Sequence, residues 1–117
     1  MINTLIYLRK EPTFRVAESV KASDLTLVAI VGVYGTDAIN PVEASFEICQ
    51  NTDTLWHLHE QVKLTLEGQE IVRQHGGLRS LSVGDFVQLG TSLYQVATFG
   101  WAVTEDDQNG GWRMEKP

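Results

Sequence analysis

The stretch that most constrains this chain is Leu25 to Tyr34. There Leu25, Leu27, Ala29, Val31 and Val33 alternate with Val28, Ile30 and Tyr34. Both sets are apolar, so an extended chain has no face suited to water. Such a strand belongs inside a sheet, covered by a helix on one side. A chain of 117 residues, 43% of them apolar, can build that core as one domain without metal or disulfide staples. Its one cysteine, Cys49, has no partner for an internal disulfide, which fits a reducing cytosol.

The flanking segments set the fold class. Ile2 to Leu8 is β-branched and apolar and ends before Glu11-Pro12, so it predicts a strand. Phe14, Val16 and Val20 alternate with Arg15, Ala17 and Ser19, predicting a half-exposed edge strand that Glu18 interrupts. Asn40-Pro41-Val42-Glu43 opens a helix: Asn40 caps, Pro41 loses nothing at the first position, and Glu43 sits where a capping-box carboxylate belongs. Val42, Phe46 and Cys49 make its apolar stripe, and the helix runs from 41 to about 50.

Residues 55–73 read both ways. Leu55 to Glu60 fits a helical turn or two, with Asp53 or Thr54 as cap. Val62, Leu64 and Leu66 alternate with Lys63, Thr65 and Glu67, which favours a strand ended by Gly68. Ile71-Val72 is then a short apolar pair before the loop His75-Gly76-Gly77.

The last third predicts a β-hairpin. Ser82-Val83-Gly84-Asp85 is turn chemistry, Phe86 to Leu89 is a strand, Gly90-Thr91-Ser92 turns, and Leu93 to Val103 returns. In the return strand Phe99, Trp101 and Val103 share one face, and Tyr94, Val96 and Ala102 the other. Phe86, Val96 and Phe99 read as buried, with Trp101 at the sheet margin. The whole is a single α+β domain over 1–104. A mostly antiparallel sheet of about five strands carries one or two helices on one face. Residues 105–117, acidic and then glycine-rich, read as a flexible tail that Trp112 could pin.

Charge and motifs exclude several function classes. Nine basic against fifteen acidic residues give −6, which disfavours non-specific nucleic-acid binding. No apolar run approaches the ~18 residues of a membrane-spanning helix. Arg9-Lys10 follows the apolar stretch Leu5 to Leu8, whereas a signal peptide has its charges first. The expectation is a cytoplasmic protein with no membrane association. No cofactor is expected, because Gly76-Gly77 and Gly84 match no phosphate-binding pattern and read as turn residues.

His57 and His59 would share one side of a strand and could begin a metal-dependent hydrolase site. A third ligand would then come from Asp53, Glu60 or His75. On a helix the two lie about 200° apart. With no supporting motif they read as imidazoles near a turn. Cys49, on the helix stripe, reads as a small hydrophobe rather than a nucleophile. Glu105-Asp106-Asp107 is a solvated acidic run or a partner-facing patch that imitates phosphates. Tyr94, Phe99 and Trp101 could stack bases, but only Arg79, Arg73 and Lys63 lie near them in sequence, so core packing is favoured.

Leu78-Arg79-Ser80-Leu81-Ser82-Val83-Gly84-Asp85-Phe86-Val87, then Tyr94-x-Val96 and Gly100-Trp101, resembles the small YodL-like proteins and related small proteins of plasmids, phages and actinobacteria. Ala44-Ser45-Phe46 and Gln50-Asn51 are similar to their helix and its end, so the resemblance spans about residues 40–102. It implies a small intracellular protein linked to mobile elements, and it brings no catalytic residues. The function expected is a small non-enzymatic accessory or interaction protein with a protein partner, and a homodimer is compatible with it. The alternative is a nucleic-acid-associated or phosphate-mimicking inhibitor of a host defence system. The candidate interaction surface is Arg79, Tyr94, Trp101, Glu105, Asp106 and Asp107.

Overall fold

The doubly apolar segment forms a nine-residue strand, and everything else is arranged around its pairing. A computed structural model describes residues 1–17, 19–34, 40–98, 100–106 and 111–114. In chain order the strands are β1 (Ile2–Arg9), β2 (Ser19–Lys21), β3 (Leu25–Val33), β4 (Val62–Leu64), β5 (Phe86–Leu89), β6 (Ser92–Val96), β7 (Trp101–Asp106) and β8 (Gly111–Met114). The helices are α1 (Pro41–Ile48) and α2 (Leu66–His75). The sheet order is β2-β8-β7-β6-β5-β1-β3-β4, and the pairings are antiparallel. The fold is therefore α+β, as the sequence predicts. Five contiguous strands, β7 to β3 in sheet order, form its body. Shorter strands of three or four residues extend both edges.

Both helices lie on one face. Ile6, Leu8, Val31 and Val87 from the sheet share one core with Val42, Phe46 and Ile48 of α1 and with Ile71 and Val72 of α2. Asn40 caps α1 as predicted, its side chain accepting from the Val42 amide at 2.8 Å. One buried polar contact sits under α1: the Thr4 and Ser45 hydroxyls are 2.6 Å apart, and Ser45 donates to the Pro41 carbonyl at 2.8 Å. Ser45 has then spent its proton, so Thr4 is the donor to Ser45.

The position of α2 follows from a bulge. Ile6 pairs with Ala29 and Tyr7 with Leu27, which leaves Val28 as the extra residue of β3. The bulged backbone still needs partners for its carbonyls. The Thr65 amide donates to the Val28 carbonyl at 3.0 Å, and the Thr65 hydroxyl donates to the Leu27 carbonyl at 2.6 Å. The same hydroxyl accepts from the Gly68 amide at 3.0 Å, capping α2. A Cβ on Gly68 would lie 2.1 Å from the Val28 oxygen, so only glycine allows this approach. Gly68, predicted to end a strand, instead sits in the first turn of a helix. The predicted strand survives only as β4.

On the opposite face residues 14–17 form an irregular strap where a strand is predicted. Among the described residues of this segment the strand is confined to Ser19–Lys21, and Phe14 has φ 56° and is 66% exposed. The strap is held by Gln95, a fully buried amide. Its oxygen accepts from the Ala17 amide at 2.6 Å, and its nitrogen donates to the Ala17 carbonyl at 3.0 Å. A side chain thus does the work of a neighbouring strand. Val20, Leu25, Phe86 and Leu93 form a second small core here, with Tyr7 and Ala17 at its border.

The C-terminal third contains the predicted hairpin as β5–β6 and continues from it as a meander. The return strand breaks after Val96, and the Ala97 amide donates to the Gly100 carbonyl at 3.1 Å, with Gly100 at φ +74°. The turn places Trp101 opposite Val96, so Trp101 joins the helix-facing core with Tyr94 and Val96. The predicted division of faces is overturned there. Phe86 and Val96 are buried as expected, in different cores. Phe99 lies outside the described residues. The predicted tail contributes Glu105 and Asp106 to β7 and Gly111–Met114 as β8, which pairs with β7 and, through Val20 and Trp112, with β2. No helix among the described residues is long and apolar enough to cross a membrane.

Candidate functional site

The motif that stands out in the sequence, Arg79 to Asp85, closes into a polar knot. The Asp85 carboxylate is 1% exposed and each of its oxygens takes one guanidinium nitrogen and one backbone amide. Oδ1 accepts from Arg79 Nη2 at 2.7 Å and the Arg9 amide at 2.9 Å. Oδ2 accepts from Arg79 Nη1 at 2.5 Å and the Ser82 amide at 2.9 Å. Arg79 also donates to the Arg9 carbonyl at 3.1 Å. The knot therefore ties the end of β1 to the turn before β5. Gly84 completes it, with φ +94° and a Cβ position only 2.7 Å from the Arg15 oxygen.

Arg79 is thus engaged in the scaffold. Tyr94 and Trp101, the other candidate surface residues among the described side chains, pack against the main core. Trp101 meets Phe46 edge-to-face with centroids 5.8 Å apart and rings at 88°. The backbones of Glu105 and Asp106 pair with Arg113 and Trp112 in β8, and Asp107 lies outside the described residues.

A second network builds the wall of a cleft. Asn51 donates to the Leu78 carbonyl at 2.7 Å, and its oxygen accepts from the Trp56 amide at 2.8 Å. The Trp56 indole, 1% exposed, donates to the Arg79 carbonyl at 2.8 Å. Gln50 donates to the Phe46 and Leu81 carbonyls, and the Leu81 amide donates to the Cys49 carbonyl. Residues 49–56 are riveted to 78–81 through these bonds. Between this wall, α1 and the end of β3 opens a cavity of about 490 Å³.

Val33, Ala44, Ile48 and Trp56 line its depth, and Glu47, Asp53, His59 and Gln61 supply its polar groups. Tyr34 and Leu55 stand at the mouth, 62% and 44% exposed. Among the described residues the lining holds two carboxylates and neither lysine nor arginine. Gln61 donates to the Gly32 carbonyl at 2.7 Å and extends the β3–β4 ladder into the cleft. His59 Nδ1 accepts from the Gln61 amide at 3.1 Å, so the neutral ring carries its proton on Nε2 as a donor.

The two adjacent histidines diverge. Residues 56–58 form one 3-10 turn, with His59 as its C-cap. His59 enters the cleft. His57 lies toward Gly77, and its Nδ1 is buried with no hydrogen-bond partner. The same-side geometry of a strand is therefore not realised, and among the described residues no group of three His, Cys, Asp or Glu is placed to hold a metal. Cys49 is fully buried in the main core, and burial pushes its thiol well above the usual range, as expected of a small hydrophobe.

Asp53 and His59 were visible in the sequence as possible ligands of a metal. Tyr34, Glu47 and Leu55 carried no signal, since a lone tyrosine at a strand end or an exposed leucine is ordinary. The arrangement offers an apolar slot, two carboxylates and several neutral polar groups, Thr52, Thr54 and His59 among them, which suits binding of an apolar group flanked by positive charge. Compared with known proteins, the chain matches no family model, no curated protein and no solved structure.

Proposed function

We propose that this protein is a small non-enzymatic binding module that seats a segment of a protein partner in the Tyr34–Leu55–His59 cleft. The observation that carries this reading is the cleft itself. Exposed Tyr34 and Leu55 flank an apolar slot whose carboxylates among the described residues are Glu47 and Asp53. Aromatic and aliphatic anchors around a desolvated slot are what protein interfaces use. The carboxylates favour a partner segment with one apolar side chain beside lysine or arginine. The riveted wall of residues 49–56 is pre-organised, which lowers the ordering cost of binding. The resemblance of the Arg79-to-Asp85 stretch to YodL-like proteins supports a role on a mobile element. Because that stretch is a structural knot, the resemblance speaks for a shared scaffold.

The test is affinity capture from the native host with three variants compared by quantitative mass spectrometry. Leu55→Asp and Asp53→Lys should each deplete the same captured protein roughly tenfold, about 1.4 kcal/mol of binding. Glu67→Lys, on exposed α2, should retain it. A partner held equally by all three variants would place the interface elsewhere.

A further inference from the structure

The sheet face that turns away from the helices is covered over one half only. Ile6 and Leu8 of β1 belong to the helix-side core, so Leu5 and Tyr7 stand on the other face. The register sets Leu5 beside Ile30 and Tyr7 beside Leu27 there. The strap and the second core close this face over β5 and β6. Over β1 and β3, Leu5, Leu27 and Ile30 stay partly exposed and belong to neither core. Gly32 continues the row without a side chain, and a Cβ there would lie 2.5 Å from the Met1 sulfur. Met1, 76% exposed, therefore lies along the same face. An exposed apolar row of this kind marks a contact surface.

The charges at its rim select the occupant. A hollow of about 400 Å³ at the β4 side of the row is lined by Met1, Ile30, Glu60 and Lys63. Glu60 and Lys63 are exposed, and neither side chain forms an ion pair among the described residues. One acid and one base side by side are complementary to their own copy, because a twofold axis between them lays each lysine on the other's glutamate. The two charges cancel, so the −6 of the chain lies elsewhere and two copies repel least through this face. Pairing edge to edge through β4 is disfavoured, since β4 has three residues and its central one is Lys63. A copy therefore lies across the face instead of lengthening the sheet.

We propose that two copies of this chain pack sheet to sheet through Leu5, Leu27 and Ile30, about a twofold axis that sets Lys63 of each against Glu60 of the other. Lys63 pairs with Ile30, and the Gly32 amide donates to the carbonyl of Gln61, the neighbour of Glu60. The axis thus crosses between Ile30 and Gly32, and Ile30 of one copy settles on the flat ground at Gly32 and Met1 of the other. The row is short, which makes this a dissociating dimer. The inference does not depend on the partner proposed for the acidic cleft, with which this face shares the rim residues Tyr34 and Gln61.

Sedimentation equilibrium of the full chain, from about 5 to about 500 µM, tests it. Half of the chains should be dimeric at roughly 50 µM, as for a small dissociating interface. The Asn3, Leu5 and Ile30 amides should shift with concentration over the same range in NMR spectra. Lys63→Glu and Glu60→Lys should each raise the dimer Kd roughly tenfold, and the double reversal should bring it back to within about threefold of the parent. Both residues are exposed, so all three variants should stay folded. Glu60→Lys also makes the chain less negative, so weakening there cannot come from overall repulsion. A monomer at 500 µM, concentration-dependent shifts confined to other amides, single reversals as tight as the parent, or a double reversal no tighter than the singles would each overturn the proposal.

Discussion

Replacing Asp85 by asparagine keeps the shape of the side chain and removes its charge. The two carboxylate oxygens serve matched pairs of donors: Arg79 Nη2 with the Arg9 amide, and Arg79 Nη1 with the Ser82 amide. Asparagine has one oxygen. Whichever way its amide turns, one guanidinium nitrogen and one backbone N–H face another donor. Breaking a buried ion pair by removing one partner costs about 3–5 kcal/mol. The Arg79 side chain is 29% exposed and keeps some contact with water, so the lower end, about 3 kcal/mol, is expected. With a urea slope of about 1.5 kcal/mol per molar, that moves the midpoint down by about 2 M with the slope unchanged. Arg79→Lys keeps the charge but loses the planar fork, and should fall between the two. Urea unfolding followed by far-UV circular dichroism measures all three proteins. A midpoint shift below about 0.5 M for Asp85→Asn would refute the claim that this carboxylate anchors the turn before β5.

Other perturbations test the remaining joints. Gln95→Leu strands both backbone groups of Ala17 and should cost about 1–3 kcal/mol; hydrogen exchange at the Ala17 amide should accelerate, and unchanged protection would show that the strap has another anchor. Gly68→Ala would raise helix propensity by about 1 kcal/mol, yet its Cβ meets the Val28 carbonyl, so a net loss of about 2 kcal/mol and a melting point roughly 8 °C lower are expected. Cys49 should resist alkylation in the folded chain at pH 8 and react on unfolding. Its thiol stays protonated when folded and ionises when unfolded. Stability should therefore be intact below the ordinary thiol value of about 8.5 and fall above it by roughly 1.4 kcal/mol per pH unit; Cys49→Ala should abolish that slope.

Part of the molecule is local and could be read locally. β1 and β3 follow from composition and period, because an extended chain apolar on both faces must be covered. α1 starts where Asn40 and Pro41 say it does, since a cap and a fixed φ need only near neighbours. Cys49 belongs to the core because its stripe does. The turn chemistry of Ser82 to Asp85 was also legible, but the partner of its carboxylate, six residues upstream, was not.

What the sequence by itself determined is thus the class of the fold, the two long strands and the first helix. The tertiary structure decided the rest, because those features depend on groups far apart in the chain. Residues 62–67 alternate like a strand, and only the carbonyls freed by the bulge at Val28 turn the chain into a helix at Thr65. Residues 14–17 alternate too, and the buried amide of Gln95, 78 residues away from Ala17, holds them as a strap. The cleft takes its carboxylates from different elements, Glu47 from α1 and Asp53 from the wall that Asn51 and Trp56 fasten to residues 78–81. A net charge of −6 does not show that convergence, since charge summed along a chain carries no information about which side chains folding brings together.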